Sequence, residues 1–102
     1  MKHAAFAFLV LLTACFAQPS QKFQLALLKE NGEGDLPAAI ELYEQIVADT
    51  TADRSLQATA QLHIGMCWEK MGRQEANASY AQVIEHFADQ KSTVAIAEER
   101  LA

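Results

Sequence analysis

The chain copies itself at an offset of 37 residues, and that repetition constrains its fold more than any other feature. Ala39 returns as Ala76, Tyr43 as Tyr80 and Gln45 as Gln82, while Ile46 and Val47 are answered by Val83 and Ile84. The same offset carries Ser55 onto Ser92, Ala58 onto Ala95, Ala60 onto Ala97 and Ile64 onto Leu101. A copied unit of this length is one supersecondary element. Alone it cannot bury its apolar side, so neighbouring copies must stack to make a continuous core. The last copy is cut short, which gives two full units and part of a third.

The copied unit reads as helix. Only two Pro and four Gly occur, and no segment alternates as a strand would. Gln18 to Lys22 reads as a linker. A first helix is expected from Phe23, with Phe23, Leu27 and Leu28 on its inner face, ending at the turn Asn31-Gly32-Glu33-Gly34. Asp35 is a good N-cap for a second helix, with Pro37 tolerated in its first turn. Ala39, Ile40, Tyr43, Ile46 and Val47 form its apolar stripe. The polar stretch from Ala48 to Arg54 breaks the chain. A third helix follows from about Ser55 to Met71, with Leu56, Ala60, Ile64, Cys67, Trp68 and Met71 inward, and Gly72 stops it. A fourth helix is expected from about Gln74 to Phe87, and a fifth from about Ser92.

The first seventeen residues have a different character. Met1-Lys2-His3 is a short positive start, Ala4 to Leu12 is an unbroken apolar run, and Thr13 to Ala17 is mostly small. That order is the layout of a secretory signal peptide. The apolar run is far shorter than the ~20 residues a permanent membrane span needs. A globular helix would show a polar face, and this run shows none. Cleavage after Ala17 fits, and so does cleavage before Cys15, because Leu12-Thr13-Ala14-Cys15 resembles the lipobox of bacterial lipoproteins. In that family the cysteine thiol carries the lipid, and several acyl chains together give stable anchoring. The expected location is outside the cytoplasm: periplasmic or secreted, with a membrane anchor only through Cys15. Either route leaves Cys67 without a partner, so no intramolecular disulfide is expected. The formal net charge is −5. An acidic surface repels phosphate backbones, and nucleic acid is not an expected partner.

From Phe23 to Ala102 these residues resemble the tetratricopeptide repeat. Ile64-Gly65 followed by Trp68 is similar to the Leu-Gly-x-x-Tyr signature of that family's first helix, and Gly72 stands at its inter-helix turn. Ala76, Tyr80 and Val83 match the small, aromatic and small positions of its second helix. In the first repeat, Gly34, Ala39, Tyr43 and Ile46 match the same turn and second helix, with Leu27 where the first-helix glycine is expected. The turn after Gly72 is one residue shorter than is usual. The resemblance implies an all-α, right-handed stack of antiparallel helical hairpins, about two repeats plus a terminal half-repeat helix. It implies a protein or peptide partner, no cofactor and no catalysis. The groove of the family corresponds here to Thr59, Leu62, Met66, Glu69 and Lys70. A leader joined to such hairpins is similar to exported bacterial proteins that scaffold envelope machinery.

The residues themselves offer little chemistry. His63 and Cys67 are four apart on one helix face, but two ligands do not make a metal site. Cys67 reads as a packed thiol, and His86 as a histidine that interacts favourably with the dipole near a helix C-terminus. Glu41 with Glu44, Glu69 with Lys70, and Glu98 with Glu99 suit solvated helix faces. There is no nucleophile motif, glycine-rich phosphate loop or ligand cluster, so an enzyme is not expected. A non-catalytic interaction or scaffold module is the first expectation. The alternative is a segment of a longer repeat protein that self-associates, as a homodimer, through its terminal helix.

Overall fold

The computed structural model describes residues 18–101. Helix α1 (Pro19–Leu27) runs without a break into a π-helical segment, Leu28–Glu33. Helices α2 (Leu36–Ala48), α3 (Arg54–Lys70), α4 (Glu75–His86) and α5 (Lys91–Leu101) follow. Each packs on the next, and α3 also meets α5, so the described residues form a stack of antiparallel helical hairpins. Residues 1–17, where a leader and the lipidation candidate Cys15 are expected, and Ala102 lie outside the described residues.

Local chemistry explains the boundaries. Residues 18–22, expected as a linker, instead open α1. Pro19 stands in the first turn, where its missing N–H is not needed, and Gln21 Oε1 accepts from the Gln18 N–H at 3.1 Å. The Asp35 carboxylate caps α2 by accepting from the Ala38 N–H at 3.2 Å. Gly34 and Gly72 close the first helix of each repeat at φ 70° and 71°, in the left-handed region that side chains disfavour. Between α2 and α3, Asp49 Oδ1 accepts from the backbone N–H and hydroxyl of Thr51 at 2.8 and 2.6 Å. Gln57 then ties α3 back to α2, donating to the Val47 and Asp49 carbonyls at 3.2 and 2.9 Å.

The first helix departs most from expectation. It does not end at Asn31 but carries on to Glu33, and its turns widen to π geometry. A π turn holds about one residue more than an α turn, which shifts everything before it by one position. Leu28, expected inward, is 53 % exposed, and Leu27 is only half-buried. Ala26 is the fully buried small residue, and it shares a core cluster with Tyr43. It fills the place that the signature register gave to Leu27.

The core is two clusters laid end to end. The first joins Ala26, Ala39, Ile40, Tyr43, Ile46, Ala60, Ile64 and Cys67. The second joins Leu62, Ala76, Tyr80, Val83 and Ala97. Trp68 packs against both, so the signature aromatic is the splice between repeats.

Candidate functional site: the two buried tyrosines and the face of α3

Tyr43 of α2 and Tyr80 of α4 are both fully buried, at equivalent positions of their repeats. Around Tyr43 the fold gathers charge. Its hydroxyl donates to Glu30 Oε1 at 2.7 Å, and Lys70 Nζ donates to Glu30 Oε2 at 2.7 Å. His63 Nδ1 lies 2.9 Å from Glu30 Oε1, a distance that calls for a proton on that nitrogen. The Phe23 ring closes the cluster, 5.7 Å from the Tyr43 ring and edge-on to His63 at 5.6 Å. Glu30 itself is 5 % exposed, although it stands in a polar sequence. Burial alone pushes its pKa up. Hydrogen bonds from Lys70, Tyr43 and His63 outweigh that effect and hold the carboxyl below its ordinary value of 4.5. The Tyr43 phenol is pushed well above its ordinary value, first by burial and then by the Glu30 carboxylate.

Around Tyr80 the closest approach is backbone, and the Glu69 carboxylate and Arg100 stand nearby without bonding its hydroxyl. A Cβ on Gly65 would stand 2.5 Å from Tyr80 Cε1 and 2.9 Å from Cζ, so glycine is what lets α3 and α4 approach over the ring. The Tyr80 hydroxyl has no hydrogen-bond partner among the described residues. Burial, and next the nearby Glu69 carboxylate, push this phenol up as well.

The expected groove residues occupy one side of α3, but they do not share one role. Leu62 is 4 % exposed and packs with Tyr80 and Ala97 in the second cluster, so it is not open to a partner. The Thr59 hydroxyl donates to the Ser55 carbonyl at 2.9 Å within its own helix. Lys70 is held by Glu30 and, at 3.3 Å, by Asn31 Oδ1. Glu69 is held by Arg100 Nη1 of α5 at 2.7 Å. The two charges therefore tie α3 to the π segment on one side and to α5 on the other. Met66 lies between these ties, half-buried against the second cluster.

His63 turns to Glu30 and Tyr43, and Cys67 is fully buried in the first cluster. Burial pushes the Cys67 thiol up to about 12, and the Glu30 charge adds to the effect. His86, at the end of α4, offers its carbonyl to Arg54 Nη2 at 2.6 Å. Glu41, Glu44, Glu98 and Glu99 are exposed. Glu30, which no sequence pattern singled out, is the most highly connected polar side chain of the site. Its only signal is its spacing: seven residues after Phe23 and four after Ala26, it continues their helix face.

Residues 59–89 match a tetratricopeptide repeat model. The match runs from Thr59 through α3 and α4 to the turn before α5, the part of the fold that holds Gly65, Trp68, Gly72 and Tyr80. No curated protein and no solved structure gives a significant match. A tetratricopeptide repeat is a generic protein-interaction module, typically without catalysis.

Proposed function

We propose that this chain is an exported, non-catalytic scaffold that holds a protein partner against the face shared by α1, α3 and α5. The repeat match over residues 59–89 is the observation that carries the reading. The bracing of α3 supports it. Lys70 to Glu30 and Glu69 to Arg100 fix three first helices in one rigid row, with Thr59 and Met66 at the centre. A row fixed before binding loses little freedom on binding, and so spends less of its contact energy on ordering. Export is supported by the leader: a basic start, an apolar run and small residues, with cleavage after Ala17 or lipid attachment at Cys15.

Self-association through α5 is the second reading. Ile96 and Leu101 are 40 % and 39 % exposed on that helix. The repeat register opposes it, because Glu99 stands where α3 buries Leu62. A carboxylate there suits solvent better than another apolar helix.

A pull-down from envelope extract, with wild type, Met66→Asp and Thr59→Arg in parallel, tests the reading. Wild type captures a partner that both variants lose while their melting temperatures stay close to wild type. Capture that survives both variants contradicts the assigned face. Intact mass of the secreted chain tests export, showing an N-terminus at Gln18 or a diacylglyceryl adduct on Cys15. A retained leader contradicts it. Gel filtration of wild type and Leu101→Asp tests the second reading: a dimer lost on substitution supports it, and a monomer in both cases removes it.

A further inference from the structure

On the other side of α3 the helices α2 and α4 part over a cleft of about 310 Å³. Its apolar walls are Val47, Ile64 and Trp68, and Glu44 stands among its lining residues. Gln61 and Ser79 also line it, and they are unusual there. They are 6 % and 7 % exposed, yet neither side chain makes a hydrogen bond within the described residues. Among the described residues the Tyr80 hydroxyl is the only fully buried side-chain polar atom without a partner, so the polar atoms of Gln61 and Ser79 keep an opening onto the cleft, where a ligand can meet them. At 100° per residue, Gln61, Ile64 and Trp68 lie on the opposite side of α3 from Thr59, Met66 and Lys70. The cleft is thus separate from the face assigned above.

We propose that this cleft is a second peptide subsite, taking an extended segment with one aliphatic side chain next to a Lys or Arg. The volume sits at the small end of the ~300–1,000 Å³ of ligand pockets, which suits one anchoring residue rather than a cofactor. The aliphatic side chain lies against Val47, Ile64 and Trp68. The Gln61 amide offers a donor and an acceptor in one plane, the match for the C=O and N–H of a peptide backbone, and Ser79 can serve either. Glu44 is the charged side chain lining the cleft, and the whole chain is acidic, so the neighbouring residue is basic. The proposal deepens the reading of the chain as a protein-binding module and rests on it.

The test is a titration of the described domain within the full mature chain, followed by NMR. The probes are acetyl-Lys-Leu-Lys-amide and acetyl-Glu-Leu-Glu-amide. The basic peptide saturably shifts the Gln61 side-chain amide and the Trp68 indole, and the acidic peptide binds at least about tenfold more weakly. Gln61→Leu weakens the basic peptide by about tenfold, the equivalent of one lost polar contact. Glu44→Lys, an exposed position that leaves the core intact, reverses the preference between the peptides. Equal binding of the two peptides overturns the proposal, as does binding unchanged by Gln61→Leu or absence of any saturable shift at the cleft. Partner capture lost in Met66→Asp but kept in Gln61→Leu and Glu44→Lys also overturns the cleft, and leaves the face across α3 standing.

Discussion

Tyr43 and Tyr80 stand at the same place in successive repeats, each fully buried, yet the fold treats them in opposite ways. The first is wired into the Glu30 carboxylate, which α2 reaches through Tyr43 and α3 through His63 and Lys70. The second is clamped under the backbone of α3 at Gly65, with its hydroxyl unpartnered among the described residues. Repetition preserved the ring, which fills the gap between helices in both copies. It did not preserve what surrounds the hydroxyl. A repeat core can therefore be completed by close packing or by a satisfied polar network, and this chain does one of each. The packed version is the one that the repeat model recognises.

The largest effect is expected where the packing is tightest. Gly65→Leu drives a side chain into a ring that has no room to move, and should destabilise the fold by about 3 kcal/mol in urea unfolding. Little change would mean that the second pocket is slacker than the first. Glu30→Ala comes next. Removing one member of a buried pair costs about 3–5 kcal/mol, but Lys70 is half-exposed and regains water, so about 2–3 kcal/mol is expected.

The same carboxylate gives the first pocket a pH dependence. Its folded pKa is held below the ordinary 4.5, so its contribution is complete above the unfolded value. That contribution drains away as pH falls through the folded value. The stability gap between wild type and Glu30→Gln should be full above about pH 5 and shrink steadily below it. A gap that grows on acidification would reverse the sign and break the account. The smallest effect is expected at the rim of the second repeat. Arg54 grips Asp89 at 2.6 Å, but both side chains are about half-exposed, and exposed pairs contribute little. Asp89→Asn should move the melting temperature less than either substitution above. A larger shift would make that rim part of the core.

Much of this was legible in the sequence. The 37-residue offset, the stripe through Tyr43 and its copy at Tyr80, the Asp35 cap and the stop at Gly72 all follow from periodicity and turn chemistry. The π segment was not legible, because no residue pattern separates a widened turn from an α turn. Without it the register slips by one, and Leu27 takes the place that Ala26 holds. The linker expected over residues 18–22 is instead the first turn of α1, because Pro19 needs no N–H partner there and Gln18 caps the helix. Glu30 was hidden for another reason. Its neighbours Lys29, Asn31 and Glu33 make it look solvated, and its cation lies forty residues away at Lys70. Glu69 and Lys70 looked free for a partner for the same reason: their counter-charges are on other helices, beyond any local pattern.

The contrast between the two pockets is tested most directly by removing one oxygen from each. Tyr43→Phe takes a donor from a buried carboxylate and should destabilise the fold by about 1–2 kcal/mol. Tyr80→Phe removes a hydroxyl that has no partner, and should be neutral or stabilising by up to about 1 kcal/mol. Equal losses from both substitutions, or a greater loss from Tyr80→Phe, would contradict the account.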